Sequence, residues 1–262
     1  MTGIIDELFS VAGKTALVTG GAKGVGAMIS TALVRAGADV YVTSRSGEHG
    51  ERFAAELSAQ GRCTFLPHDL ATMEGVRAAA DDVSGRVEAL NILVNNAGVF
   101  QAGPIDGVDE TGWDQSMSVN LKAPFFLTQA LLPKLQAAAT PGDPARVVNI
   151  GSIAALWAKS SNAYAYGATK GAIHQLTRML ASDLTRGGVT VNAIAPGFFP
   201  SDMTDGFFTA VPGLKEQMIE GIPAHRLGSA EDVGGAVIFL CSRAGAYLSG
   251  AILPVEGGLW SA

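Results

Sequence analysis

Apolar positions along the chain fall into two patterns: short runs that are apolar at almost every position, and longer segments with one apolar face. The short runs are typical of parallel strands that are covered on both faces of a sheet. They predict strands at Thr15–Thr19, Val40–Thr43, Cys63–Pro67, Ile92–Asn95, Arg146–Ile150, Val189–Ile194 and Ile252–Val255. The longer segments predict helices at Val25–Ala36, Glu51–Ala59, Met73–Ser84, Trp113–Ala138, Ala163–Thr185 and Glu231–Cys241.

Strands and helices alternate regularly in this prediction, which favours a parallel sheet with helices on both faces. We therefore expect an α/β fold, a single Rossmann-type doubly wound domain over residues 1–262 with a seven-stranded parallel sheet. The sequence contains no internal repeat, low-complexity tract or linker that would divide it. One long irregular stretch, residues 197–226, is expected to form a lid over the substrate rather than a domain boundary.

Composition and charge exclude several classes of protein. Hydrophobic residues make up 48% of the 262 residues and charged residues 16%, which is enough apolar material for a sizeable core. The net charge of −6 argues against nucleic acid or an anionic membrane as the main partner. The N-terminus lacks the pattern of a signal peptide, and no apolar run approaches the ~20 residues of a membrane span. Cys63 and Cys241 have no metal-type spacing, so we expect reduced thiols, a cytoplasmic protein and no metal.

A glycine-rich turn follows the first predicted strand and leads directly into a helix. The segment Thr19–Gly26 has the spacing Gly-x-x-x-Gly-x-Gly. Glycines allow the backbone to approach a pyrophosphate, and the helix N-terminus offers unpaired N–H groups and a positive dipole end. The order strand, turn, helix therefore predicts a dinucleotide site, although a tight turn without a ligand would show the same glycines.

The end of the second strand indicates which dinucleotide fits. An acidic residue there would hold the ribose 2′-hydroxyl of NAD, but this chain has Thr43-Ser44-Arg45-Ser46. Arg45 can bind a phosphate through two N–H groups, and Lys23 in the glycine-rich turn adds a second positive charge. These residues favour NADP(H), with two solvated surface cations as the alternative. Asp69 can receive the adenine amino group, or it can cap the helix that begins near Thr72.

Tyr166 and Lys170 are four residues apart on a predicted helix, so they share one face. An isolated tyrosine titrates near pH ~10, and a nearby positive charge lowers that pKa and favours the phenolate. The pair could therefore carry acid–base chemistry, although such pairs are also common on solvated helix faces. Tyr164 has no lysine one turn later, because position 168 is Ala, so it is expected to line the substrate pocket instead.

These motifs, in this order, resemble the short-chain dehydrogenase/reductase family, and within it the 3-oxoacyl-(acyl-carrier-protein) reductases. The resemblance extends from Gly13 to Gly258 and rests on these pieces: Thr19–Gly26, Asp69, Asn95–Gly98, Asn120, Ser152, Tyr166–Lys170 and Pro196–Gly197. It implies that the cofactor contacts Gly20, Lys23, Gly24, Val25, Gly26, Ser44, Arg45, Asp69, Leu70, Asn96, Ala97, Gly98, Tyr166, Lys170, Pro196, Gly197, Phe199 and Ser201.

The resemblance also implies the catalytic roles. Ser152 would bond the substrate carbonyl, Tyr166 would exchange the proton, and Lys170 would hold the nicotinamide ribose and lower the tyrosine pKa. Asn120 would hold a water that passes protons to solvent. Two departures from the family pattern are that Ser152 lies fourteen residues before Tyr166, one more than usual, and that Ser201 stands where a threonine is common.

Pro124 lies four residues after Asn120 within the predicted long helix. Proline has no N–H, so the carbonyl of Asn120 loses its usual helical partner and the helix bends. A carbonyl released in this way could hold the relay water. An ordinary kink that serves packing agrees with the sequence equally well.

Substrate recognition is expected in two apolar segments, residues 154–164 and 198–226. The candidates are Ala154, Trp157, Tyr164, Phe198 and Phe207. An irregular region this apolar fits a hydrophobic ketone or acyl chain. The leading hypothesis is an NADPH-dependent ketoreductase in a homotetramer, which the resemblance implies. The alternatives are an alcohol, steroid or sugar dehydrogenase working oxidatively, and a catalytically silent NADP-binding sensor.

Overall fold

The fold was analysed in a computed structural model that describes residues 3–156, 162–201 and 213–260. A seven-stranded sheet lies at its centre with the strand order β3-β2-β1-β4-β5-β6-β7, and every neighbouring pair is parallel. The predicted α/β class and the parallel sheet are therefore confirmed. The strands are β1 Thr15–Thr19, β2 Asp39–Ser44, β3 Arg62–Pro67, β4 Ile92–Asn95, β5 Ala145–Ile150, β6 Val189–Pro196 and β7 Ile252–Val255.

Helices cover both faces of this sheet. Within the described ranges they are α1 Ile4–Phe9, α2 Gly24–Arg35, α3 Gly47–Leu57, α4 Met73–Arg86, α5 Glu110–Met117, α6 Ala123–Ala138, α7 Tyr164–Leu184, α8 Leu214–Glu220 and α9 Ala230–Cys241. Between α5 and α6 a π-helical segment, Ser118–Lys122, continues the same helical rod.

The core is divided by the sheet into two layers. Neighbouring residues of β1 point to opposite faces, so Ala16 and Val18 pack into the cluster under α2 and α9, and Leu17 packs into the cluster under α4 and α6. All three side chains are fully buried. This explains why the strands are apolar at nearly every position instead of alternating.

The order of the strands reverses at β1, which pairs with β2 on one side and with β4 on the other. In open parallel sheets a crevice forms beside such a switch point, at the carboxyl ends of the strands. The loops that follow β1, β2, β4 and β5 all open at this end, and they carry most of the predicted site residues.

Three elements differ from the sequence expectations. Helix α1 was not predicted, because its six residues are too short to show a helical period; its Phe9 packs 6.4 Å from the ring of Phe239. Helix α8 lies inside the stretch that was expected to be irregular. The predicted single helix Trp113–Ala138 is interrupted, because its ladder widens to a π turn in which the Ala123 N–H bonds the Ser118 carbonyl.

Candidate active site

One cavity of about 780 Å³ opens at the carboxyl ends of the central strands. Every residue that the sequence analysis assigned to the cofactor lines it, from Gly20 in the glycine-rich turn to Ser201 after β6. Ser152, Tyr166 and Lys170 line the same cavity, so the geometry brings the predicted cofactor and catalytic residues together. No group of metal-ligating side chains occurs among the described residues, and none of the helices described is long and apolar enough to span a membrane.

The glycine-rich turn has a backbone that side chains would block. Gly20 and Gly24 have φ of +60° and +51°, which favour glycine. A Cβ on Gly26 would overlap the Gly20 carbonyl, so the turn can close only without a side chain there. Asn96 fixes its far side by donating to the carbonyls of Thr19 at 2.9 Å and Gly20 at 3.1 Å.

The start of α2 is suited to a phosphate. No side chain caps its N-terminus, which leaves the N–H groups of the first turn available to an anion. Together with the glycine cradle, this arrangement fits the pyrophosphate of a dinucleotide. The residues present therefore fit the predicted cofactor.

Lys23 and Arg45 line the same cavity, although they belong to different loops. Lys23 is in the turn after β1, and Arg45 is in the loop after β2. Ser44 and Ser46 flank Arg45 along the wall, and no carboxylate stands at the end of β2. Two cations and two hydroxyls form a site for a phosphate rather than for a neutral ribose hydroxyl.

Asp69 and Leu70 line the cavity after β3. The alternative role of Asp69 as a helix cap is wrong, because the Thr72 hydroxyl caps α4 by accepting from the Gly75 N–H at 3.1 Å. The Asp69 carboxylate accepts the Ala71 N–H at 3.0 Å. Because Asp69 lines the cavity, it can contact an adenine bound there.

Tyr166 and Lys170 lie one turn apart on α7, with Lys170 buried and Tyr166 half-buried. The Lys170 ammonium donates to the Ile150 carbonyl at 2.6 Å, and its nitrogen lies 5.5 Å from the centre of the Tyr166 ring. Hydrogen bonding by Ser152, which follows β5, favours the ionised form of the Tyr166 phenol and so acts to lower its pKa. Phe100 packs edge-on against the Tyr166 ring with centroids 5.0 Å apart, so the phenol is held on two sides.

Burial dominates the acidity of both groups. Desolvation lowers the pKa of Lys170 to about 8. Desolvation also raises the pKa of the Tyr166 phenol, and the hydrogen bond with Ser152 opposes it. This direction contradicts the lowering predicted from the Tyr166–Lys170 spacing, because the cost of burying a phenolate is the larger effect in the chain alone.

Asn120 lies in the π-helical segment and does not line the cavity directly. Its side chain clamps the loop after β4, accepting from the Val99 N–H at 2.8 Å and donating to the Val99 carbonyl at 2.9 Å. It also donates to the Thr169 hydroxyl at 3.2 Å, which links it to α7 beside Lys170. The widened turn next to Pro124 leaves the Asn120 carbonyl without an α-helical N–H donor four residues later, as the sequence predicted.

A chain of buried side-chain hydrogen bonds sets the distance between α6 and α7. Asn95 of β4 donates to the Thr128 hydroxyl of α6 at 3.2 Å and to the Asn149 amide oxygen of β5 at 2.9 Å. Asn149 then donates to the Thr177 hydroxyl of α7 at 2.9 Å. The helix that carries Tyr166 and Lys170 is thereby tied, through the sheet, to the helix that carries Pro124.

The predicted substrate residues are placed less favourably. Trp157 and Phe207 lie outside the described residues. Phe198 packs with Leu227 in a small cluster away from the cavity, and Tyr164 is 39% exposed. Ala154 lies behind Ser152, to whose hydroxyl its N–H donates at 3.1 Å. Of the described residues in the two apolar segments, Phe199 lines the cavity.

Sequence reasoning missed His174, which lies one turn after Lys170. Its ring is buried against Gly151, between Ile150 and Ser152, where a Cβ on Gly151 would overlap the imidazole. Burial and the charges of Lys170 and Arg178 lower its pKa to about 4, so the ring is neutral at physiological pH. The one indication in the sequence was its spacing of four residues from Lys170, which places both side chains on the same face of the helix.

Thr19 was recognised only as part of a motif. Its hydroxyl accepts the N–H groups of Asn96 and Ala97 at 2.9 and 3.0 Å, and it donates to the Val94 carbonyl at 3.3 Å. It thus joins the glycine-rich turn to the loop after β4. This role depends on the pairing of β1 with β4, which a sequence does not display directly.

Comparison with known proteins gives a consistent picture. Residues 20–260 match the family model described as enoyl-(acyl carrier protein) reductase. The chain is 42% identical over 250 residues to the rhamnolipids biosynthesis 3-oxoacyl-[acyl-carrier-protein] reductase of Pseudomonas aeruginosa, covering 95% of this chain and 97% of that protein. It is 33% identical to gluconate 5-dehydrogenase of Gluconobacter oxydans, covering 97% of each.

Solved structures agree with these relatives. The Pseudomonas aeruginosa RhlG/NADP active-site complex superposes with a TM-score of 0.93 at 41% identity, covering 97% of this chain and 99% of that one. A gluconate 5-dehydrogenase from Burkholderia cenocepacia, in complex with NADP and tartrate, superposes with a TM-score of 0.89 at 32% identity, covering 98% of each chain.

The fit between Gly151 and His174 generates a prediction. Gly151→Ala should destabilise the protein by about 1–3 kcal/mol and lower turnover, because the new methyl group displaces the imidazole and with it Ser152. Thermal unfolding and steady-state kinetics measure the two effects.

Gly235→Ala is the matched control, since a Cβ there meets nothing within 4 Å on an exposed position of α9. His174→Ala combined with Gly151→Ala should recover part of the lost stability. Equal stability of Gly151→Ala and Gly235→Ala would contradict the predicted overlap.

Proposed function

The chain belongs to the short-chain dehydrogenase/reductase family, and on that premise we propose that it reduces a ketone to a secondary alcohol with NADPH. The observation that carries the proposal is the position of Ser152, Tyr166 and Lys170 in the same cavity as the glycine-rich turn. A hydride donor bound along the turn and a carbonyl bound at Ser152 would then share one enclosed space.

The choice of NADP(H) rests on Lys23 and Arg45. These two cations line the cavity together with Asp69. The solved relatives that contain NADP support the same assignment. An NAD-specific site would instead carry an acid at the end of β2.

Each step of the reduction can be assigned to residues of this chain. When bound, the reduced nicotinamide supplies the hydride. The Ser152 hydroxyl bonds the substrate oxygen and orients it beside Tyr166, which lines the same cavity. The Tyr166 phenol gives its proton to the oxygen as negative charge develops there.

Lys170 contributes by charge and by position. Below about pH 8 its ammonium stays protonated, and it lies close enough to the Tyr166 ring to stabilise the phenolate left after proton transfer. It would also bond the nicotinamide ribose. The Asn120 carbonyl, without its α-helical donor, would hold the water that returns a proton to Tyr166 through Lys170.

The substrate class is proposed to be a hydrophobic or 3-oxoacyl ketone. The relative from Pseudomonas aeruginosa and the apolar residues at 198–226 support this choice. A second candidate, oxidation or reduction at a sugar acid, is favoured by the gluconate 5-dehydrogenase relatives. A silent NADP-binding sensor is disfavoured, because Ser152, Tyr166 and Lys170 line the same cavity as the glycine-rich turn.

A homotetramer is proposed for the assembly. An open apolar groove lies where the π-helical segment and α6 meet α7, lined among others by Met117, Leu121, Phe125 and Leu176. Trp113 and Met179 extend this apolar surface. A second copy of the chain would cover it. A reducing, cytoplasmic setting is proposed from the two free cysteines, Cys63 and Cys241.

The central test is activity with a panel of ketones. NADPH oxidation, followed by absorbance, should be fast with at least one of a 3-oxoacyl thioester, an aryl ketone, a cyclic ketone and 5-keto-gluconate. Tyr166→Phe should lower kcat by about 10²–10⁴-fold, because the proton donor is lost while the ring packing remains. NADPH binding should change little.

Wild-type activity that survives Tyr166→Phe would exclude this mechanism. A panel in which 5-keto-gluconate far exceeds the hydrophobic ketones would favour the second candidate. Turnover with none of the ketones, together with tight NADPH binding, would favour the sensor.

Coenzyme preference gives a second prediction. Arg45→Ala should weaken NADPH binding by about 10-fold or more and leave NADH binding within about two-fold, because only NADPH carries the 2′-phosphate. Equilibrium fluorescence titration measures both affinities. Arg35→Ala, an exposed arginine at the end of α2, is the matched control. A wild-type preference for NADH would refute the assignment.

The pKa of Lys170 predicts a pH profile. Because burial lowers it to about 8, the positive charge is present at neutral pH and is lost as the pH rises through that value. The kcat/KM for NADPH in ketone reduction, which reports the free enzyme, should therefore fall above about pH 8.

Lys170→Arg keeps its charge throughout this range, so its residual activity should show no such fall. An identical fall in wild type and Lys170→Arg would assign the titration to another group.

A further inference from the structure

His49 links the helix that follows the Arg45 loop to the turn that carries Lys23. It lies in the first turn of α3, and its Nε2 is 3.0 Å from the carbonyl oxygen of Ala22, the residue before Lys23. A carbonyl oxygen only accepts, so Nε2 carries the hydrogen of this bond. The bond therefore runs from the start of α3, which follows the Arg45 loop, to the glycine-rich turn after β1.

Arg52 supports the same arrangement of the imidazole. Its Nη2 lies 3.4 Å from His49 Nδ1, and a guanidinium only donates, so Nδ1 is the acceptor. The two contacts therefore select one neutral tautomer, with the hydrogen on Nε2. Arg52 therefore donates to His49, and His49 in turn donates to the Ala22 carbonyl of the glycine-rich turn.

The carbonyl that His49 bonds belongs to a buried residue. Ala22 is 2% exposed, and a buried carbonyl that loses its partner is costly, so the turn would have to rearrange without the imidazole. The glycine-rich turn is also bonded to strand β2, since the Gly21 N–H donates to the Thr43 carbonyl at 3.3 Å. The His49 bond meets the turn at the residue next to Lys23, which lines the cavity together with Arg45.

We propose that His49 is a positioning residue that sets the preference for NADP(H) over NAD(H) by fixing the separation of Lys23 and Arg45. The proposal rests on the cofactor assignment made above. A 2′-phosphate has to meet Lys23 from one loop and Arg45 from the other at the same time. A 2′-hydroxyl makes no such demand, so the spacing of the loops affects one coenzyme and not the other.

The alternative is that His49 only stabilises the fold. Loss of such a role would loosen the glycine-rich turn and weaken both coenzymes alike, because both place a pyrophosphate there. The ratio of the two affinities therefore separates positioning from stability.

The experiment measures equilibrium dissociation constants of NADPH and NADH for His49→Leu and His49→Gln. Leucine fills the space without a donor, whereas the glutamine amide places an N–H where Nε2 stood. His49→Leu should weaken NADPH by about 5- to 10-fold and NADH by less than about two-fold. His49→Gln should stay within about two-fold of wild type for both. Equal weakening of both coenzymes, or no change, would overturn the proposal.

A double-mutant cycle with Arg45→Ala provides an independent arm. Without the Arg45 side chain, the separation of the two loops no longer affects how a 2′-phosphate is bound. His49→Leu should therefore add less than about two-fold to the loss of NADPH affinity. Full additivity would overturn the proposal. His49→Asn, whose shorter amide does not reach Ala22, replaces His49→Leu in both arms if that variant fails to fold.

These outcomes also separate the proposal from the cofactor assignment. If Arg45→Ala leaves NADPH binding unchanged, the 2′-phosphate site itself is misassigned. If Arg45→Ala weakens NADPH and His49→Leu does not, only the role of His49 is wrong.

Discussion

The buried ammonium of Lys170 is the constraint on which the rest of the active site depends. An ammonium that is 5% exposed pays a large desolvation cost, and here the Ile150 carbonyl accepts from it at 2.6 Å. That carbonyl is available because β5 ends at this point. The contact therefore fixes how far α7 lies from β5, and the position of Tyr166, one turn earlier, follows from it.

Support for this contact comes from polar groups on the face of the sheet that packs against α6 and α7. The side chains of Asn95 and Asn149, which pair in register on β4 and β5, connect Thr128 of α6 to Thr177 of α7. Buried polar groups of this kind are stable only when they are bonded to one another, so they act together. The separation of the two helices is set by specific bonds in addition to apolar packing.

Much of this arrangement was predictable from the sequence. The strands could be predicted because strands that are buried on both faces are apolar at nearly every position. The glycine-rich turn could be predicted because its close backbone approach leaves no room for side chains. The widened turn at Ser118–Lys122 was predicted only in part. Pro124 indicated that one helical hydrogen bond is lost, but not that the backbone hydrogen bonds would shift to a π turn.

Other features depend on contacts between distant segments and could not be read from the chain. The contact of His49 with Ala22 joins residues 27 positions apart, and nothing in the local pattern marks it. The pKa of Tyr166 was expected to move in the wrong direction, because spacing reveals a neighbouring charge but not the extent of burial. Helices α1 and α8 are too short for periodicity to indicate them.

The raised pKa of Tyr166 bears on the direction of the reaction. A phenol that keeps its proton at neutral pH is already in the form that ketone reduction consumes, whereas alcohol oxidation needs the phenolate. Before the reaction, the cost of burying a phenolate keeps the phenol protonated. After proton transfer, the Lys170 charge and the Ser152 hydrogen bond stabilise the phenolate that remains. Without further positive charge, the residues of the chain therefore favour proton donation. A positively charged nicotinamide would lower the pKa of Tyr166 and so favour the phenolate. The oxidation state of the bound cofactor would therefore decide whether Tyr166 donates or accepts the proton.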